Sequence, residues 1–142
     1  MTIHIINGPN LNLLGRRQPE IYGDQSFEVF FEELVAQFPD HNLTYFQSNH
    51  EGALIDALHA SGFEGNAAAV INPGGYTHTS IALGDAIACI DIPVIEVHIS
   101  NIFARESFRH HSYIMTNCAH SIIGQGLEGY RQAIKWLVAG KG

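Results

Sequence analysis

Lysine is the scarcest functional group in this chain. Of 142 residues two are lysines, Lys135 and Lys141, both in the last eight positions, and with five arginines the net charge at pH 7 is −7. No basic stripe exists to track a phosphate backbone, which excludes nucleic acid as a partner. Cysteine is almost as rare. Cys89 and Cys118 stand alone among apolar neighbours without CxxC spacing, the pattern of reduced core thiols and not of a disulfide or a metal centre. Nine histidines are present, but none falls in HExxH, and the tandem His110 and His111 would direct its rings differently on a helix, so no metal is expected. Long apolar runs are also missing. The tract 81–99 is interrupted by Asp85, Asp91, Pro93 and Glu96, and the N-terminus shows no charged segment leading into an apolar one, so the expectation is a soluble cytoplasmic protein without membrane contact. Neither GxxxxGK[ST] nor GxSxG occurs, which weighs against a nucleotide phosphate loop and against an esterase-type serine.

What is present is a chain of one-domain size with 46% apolar residues. Such a chain buries about two thirds of its unfolded surface. Short runs of strand composition lie at 3–6, 43–47, 67–71, 93–99 and 120–123. Amphipathic segments alternate with them at 26–38, 52–60, 79–90 and 127–138. The first places Phe27, Phe30, Phe31, Leu34, Val35 and Phe38 on one face, and so many phenylalanines suggest that part of that face meets another subunit. Strict alternation predicts an α/β three-layer sandwich, a five-stranded parallel sheet with helices on both faces. Residues 1–142 form a single domain in this reading.

In open sheets of this class ligands bind beyond the carboxyl ends of the strands, where strand order reverses. The polar segments 7–10, 48–51, 72–75 and 96–100 all fall there. Glu96 and His98 are two apart on a strand, so both project from one face and the carboxylate can fix the imidazole as a general acid. The loop 7–23, NGPNLNLLGRRQPEIYG, is long and chemically specific, as lids and ligand loops are, and the lid is placed around 15–24. Tyr22 is its candidate base. A phenol ordinarily ionises near pH 10, and bringing that to about pH 8 takes ~2.7 kcal/mol. One guanidinium ~4 Å away supplies ~4 kcal/mol at an effective dielectric near 20 before desolvation is subtracted, so Arg16 or Arg17 suffices. The turn 72–80, NPGGYTHTS, offers backbone N–H groups and hydroxyls to a carboxylate or a hydroxyl-rich ligand. Arg105 and Arg109, four apart on a short helix after Ser100, each offer a bidentate carboxylate clamp.

Together the blocks NGPNLNLLGRRQPEIYG, FQSNHEG, INPGGYTHTS, EVHISN and ARESFRHHSY resemble the type II 3-dehydroquinate dehydratase family over essentially the whole chain. The resemblance implies a flavodoxin-like fold, assembly as a dodecamer of four trimers, and cofactor-free anti elimination of water from 3-dehydroquinate, through an enolate, to give 3-dehydroshikimate in the shikimate pathway of aromatic amino acid biosynthesis. It also implies roles. Tyr22 would remove the C2 proton and Arg17 would keep that phenol ionised. Asn10 would orient the water at the enolate oxygen, and His98, oriented by Glu96, would protonate the departing hydroxyl. The Ile99 and Ser100 backbone N–H groups would hold the substrate carboxylate. Asn72, His78 and Arg109 match substrate-binding positions, and Asp85 matches one that reaches the site of a neighbouring subunit. The lysine distribution agrees independently, since the unrelated Schiff-base class needs a lysine in its active site. Two positions depart from the common pattern, Gln18 in the lid and Gly84 before Asp85. Two other classes compete: a binding module for a flavin or a phosphorylated ligand, and a hydrolase using Ser48 or Ser80.

Overall fold

A computed structural model of the protein describes residues 1–16, 20 and 24–141. Its sheet is made from five short runs of small and branched apolar residues, β1 (Thr2–Asn7), β2 (Asn42–Gln47), β3 (Ala67–Asn72), β4 (Val94–His98) and β5 (His120–Ile123). Every pairing is parallel and the order is β2-β1-β3-β4-β5. The helices between them are α1 (Phe27–Gln37), α2 (Glu51–Ser61), α3 (Ile81–Cys89) and α4 (Glu128–Trp136). This is the predicted flavodoxin-like α/β sandwich, with element ends displaced by one or two residues. Two starts have clear causes: Ser26 and Ser80 accept the backbone N–H groups of Val29 and Leu83 at 3.3 and 3.0 Å, capping α1 and α3.

Period-two alternation sorts the sheet's side chains into two cores. Ile3, Ile5, Ala68, Val70, Ile95 and Val97 pack under α1 and α4, with Phe27, Phe30, Leu34, Tyr130 and Ile134. Ile6, Ala69, Ile71 and Val94 pack under α2 and α3, with Leu54, Leu58, Leu83 and Ile87. β3 is buried at every position, as a central strand covered on both faces must be. From β1 the chain goes outward to β2 and returns to the other side of β1 as β3, so strand order reverses between β1 and β3.

Two expectations are corrected, the burial of Val35 and the core position of Cys89. The phenylalanines of α1 pack in part inside the chain: Phe27 stacks on Tyr45 at 4.6 Å and meets Tyr130 edge-on at 4.9 Å, and Phe31 and Phe38 are partly buried on the same cluster. Helical periodicity shows a wide apolar face but not the tyrosines that other elements supply to cover it. Val35, expected on that face, is 43% exposed. Cys89 is exposed at the end of α3, and Cys118 is partly buried with its thiol pushed up to about 12, chiefly by burial and also by the charge of Glu96. Among the described residues no helix is long and apolar enough to cross a membrane.

Candidate active site

The ends of β1, β3 and β4 bound a cavity of about 150 Å³ at the point where strand order reverses. Pro9, Asn10 and Leu11 line it from the first loop, Asn72, Gly74, Gly75 and His78 from the second, and His98, Ile99 and Ser100 from the third. Arg105 and Arg109 close one side. The first two loops are held to each other at backbone distance. Gly8 N–H donates to the Asn72 carbonyl at 2.7 Å, and a Cβ on Gly8 would lie 2.5 Å from the Pro73 carbonyl oxygen. Asn10 adopts the left-handed region at φ 70°, which asparagine tolerates better than most residues, and its N–H donates to Asn49 Oδ1 at 3.0 Å.

Glu96 and His98 project from the same face of β4, as the spacing predicts, and both are buried. The ring Nε2 of His98 donates to Glu96 Oε2 at 2.7 Å. Two serines complete the carboxylate's shell, Ser112 Oγ donating to Oε2 and Ser121 Oγ to Oε1, each at 2.7 Å. Burial pushes the Glu96 carboxyl up, but the hydrogen bond and charge of His98 and the two hydroxyls pull it further down, below the usual carboxylate range. An ionised Glu96 then holds an N–H on the His98 nitrogen that faces it and leaves the second nitrogen for other chemistry.

His78 lies beside His98 with ring centroids 6.5 Å apart and planes 26° apart. Its Nδ1 donates to the His111 carbonyl at 2.8 Å. Partial burial, together with the positive neighbours His98, Arg109 and Arg105, lowers its pKa against the opposing effect of that carbonyl. Neutral at pH 7 with its proton on Nδ1, the ring presents Nε2 as an acceptor, which suits a ligand hydroxyl. Arg105 Nη1 donates to Ser100 Oγ at 3.3 Å, and Arg109 Nε pairs with the exposed Glu106 at 2.5 Å. The two arginines do not share a helix. Arg105 follows the one-turn segment Ile102–Ala104 and Arg109 ends a second one, Ser107–Arg109, because the backbone is extended at Arg105 between them.

Of the residues singled out from sequence, Asn10, Asn72, His78, His98, Ile99, Ser100 and Arg109 meet around the cavity, with Glu96 behind His98. Asp85 does not; it is exposed on α3. Arg17, Gln18 and Tyr22 lie outside the described residues. The serine-hydrolase alternative finds no triad: Ser80 caps α3 while bonded to Glu51, and Ser48 caps the N–H of His50. Among the described residues no three His, Cys, Asp or Glu side chains converge in a metal-ligating group. Sequence reasoning missed Ser112, Ser121 and Tyr130. Ser121 is the register partner of Glu96 on β5, a relation visible once strands are paired. Gly84 is explained by packing, since a Cβ there would sit 2.5 Å from the Tyr113 carbonyl oxygen.

The family model described as dehydroquinase class II matches residues 1–138. A 3-dehydroquinate dehydratase of Exiguobacterium sp. (strain AT1b) is 54% identical over 140 residues, 97% of this chain and 94% of the relative. That of Rhodopseudomonas palustris (strain TIE-1) is 53% identical over 141 residues, 97% of this chain and 93% of the relative. The crystal structure of a type II dehydroquinase from Butyrivibrio crossotus superposes with a TM-score of 0.93 at 46% identity, covering 97% of both chains. By sequence and by fold alike, the chain belongs to the class II dehydroquinase family.

Proposed function

We propose that the protein is a 3-dehydroquinate dehydratase that removes water by anti elimination through an enolate, in the shikimate pathway. The observation that carries the reading is the buried Glu96–His98 pair opening onto a cavity lined with amides, imidazoles and arginines. Such a lining suits a small polyhydroxy carboxylic acid. Tyr22 takes the C2 proton, with Arg17 stabilising the phenolate, and the electron pair moves toward the ketone oxygen, where Asn10 orients a water molecule. Collapse of the enolate expels the hydroxyl on the opposite face, and His98 supplies its proton so that water departs and the conjugated double bond remains. Glu96 stabilises the charged states of His98 during the cycle. The Ile99 and Ser100 N–H groups and Arg109 hold the carboxylate. Asn72 and His78 meet the hydroxyls, His78 as an acceptor. Asp85, exposed on its helix, completes a neighbouring copy's site in the multimer.

An ultraviolet assay for the conjugated enone tests this. Protein treated with EDTA and with borohydride is expected to convert 3-dehydroquinate, with turnover eluting at the position of the multimer on sizing. Tyr22→Phe should abolish turnover while leaving ligand binding largely intact. Wild-type turnover in that variant would remove the base assignment, and no turnover by the unaltered protein would move the reading toward a binding module.

A further inference from the structure

Tyr130 reaches the strand ends behind the cavity from α4. It lies on α4 with no exposed surface, in the apolar cluster between α1, α4 and the sheet. Its hydroxyl donates to Asn7 Oδ1 at 2.8 Å and accepts from Asn72 Nδ2 at 3.0 Å. Asn7 and Asn72 are register partners at the carboxyl ends of β1 and β3, so the phenol bridges the two strands where their order reverses. Burial pushes its ionisation well above the ordinary range, which keeps the hydroxyl neutral with one proton to give. A phenylalanine would fill this space without a polar group to desolvate, so the hydroxyl costs stability unless its bonds return it.

The proton count sets the direction of the network. Asn7 Oδ1 takes the single phenolic proton, so the oxygen can meet Asn72 only as an acceptor. At the other end of the same carboxamide, Asn72 Oδ1 accepts the Gly74 N–H at 3.1 Å. Rotating the amide by half a turn would set its NH2 against the Gly74 N–H and its oxygen against the phenol oxygen. One N–H of Asn72 is left over, and Asn72 lines the cavity.

We propose that Tyr130 is a positioning residue that locks the Asn72 carboxamide with its remaining N–H available to an oxygen of the substrate. The substrate contact rests on the dehydratase reading; the orientation of Asn72 does not. Tyr130→Phe removes the hydroxyl and keeps the ring. A contact equal in ground and transition states acts on KM, so KM should rise about five- to tenfold with kcat within about twofold. In an Asn72→Ala background the same substitution should leave KM within about twofold, because the amide it orients is gone. A merely structural Tyr130 would lower Tm in both backgrounds and leave this KM coupling absent, which would overturn the proposal.

A second measurement is independent of turnover. The Asn72 side-chain NH2 signals in a 15N spectrum, assigned by their loss in Asn72→Ala, should shift or broaden in Tyr130→Phe. Unchanged signals overturn the proposal even if the wild-type protein proves inactive on 3-dehydroquinate, an outcome that by itself sinks only the dehydratase reading. Should Tyr130→Phe fail to fold, Asn7→Leu keeps the phenol but removes its acceptor, and wild-type KM and Asn72 signals in that variant would be equally fatal.

Discussion

A fully buried carboxylate is expensive, and Glu96 stays ionised because three donors meet its two oxygens. In the unfolded chain the group ionises in the ordinary carboxylate range; in the fold it ionises lower. A depressed folded pKa contributes stability that is present above the unfolded value and is lost as pH falls through the folded one. Ser121→Ala removes one donor and leaves the burial, so it should cost about 2 kcal/mol at pH 7, the range for a hydrogen bond to a charged group. That deficit should shrink as pH falls through the depressed folded pKa of Glu96, where the carboxyl becomes protonated in both proteins. Urea unfolding from pH 7 down to pH 3 measures it. A deficit independent of pH would mean that Ser121 supports packing and not the charge. The same substitution weakens the platform on which His98 is aimed, so kcat should fall with stability.

At the scale of elements, the site is made by loops pressed together at the ends of β1, β3 and β4. Gly8 is where that pressure is greatest: a methyl group there meets the backbone of residue 73 and not a side chain that can turn aside. Gly8→Ala should therefore cost about 1–3 kcal/mol, as overpacking does. It should also raise KM, since Asn10 and Asn72 are displaced relative to each other. Thermal melts and steady-state kinetics on one preparation check both, and an unchanged Tm would show that the loops separate easily. Much of this architecture is legible from the sequence. Period-two alternation places Glu96 and His98 on one face, and strand and helix alternation places the loops in one crevice. What escapes has a common physical origin. Tyr130 is separated from Asn72 by 58 positions and from Asn7 by 123, and an apolar helical face does not reveal that one of its members carries a hydroxyl to a strand end. The helix expected to carry Arg105 and Arg109 is broken into two turns by extended backbone at Arg105 and Glu106, a break that a four-residue spacing does not show.

At the scale of the whole molecule, the proposed substrate is an anion and the chain carries a net charge of −7. The two facts oppose each other unless the distribution of charge decides. With Arg105 and Arg109 set apart the rest of the chain carries nine net negative charges, which acting from about 20 Å through water repel a carboxylate by ~1.9 kcal/mol before screening. Arg105 and Arg109 line the cavity, and two guanidinium groups about 5 Å from a carboxylate attract it by ~6 kcal/mol at an effective dielectric near 20, before desolvation and the pairing of Arg109 with Glu106 are subtracted. Arg131 lies outside the cavity lining, bonded to Glu128 and Gln37. The local field outweighs the global one. Salt shortens the Debye length from roughly 20 Å at 20 mM to under 5 Å at 500 mM, and it therefore removes more attraction than repulsion. Over that range kcat/KM for 3-dehydroquinate should fall about three- to tenfold, with kcat nearly constant because salt acts on capture and not on the bound complex. A rise in kcat/KM with salt would mean that net repulsion controls encounter. Arg105→Gln should flatten the dependence, and an equally steep one in that variant would show that the attraction arises elsewhere.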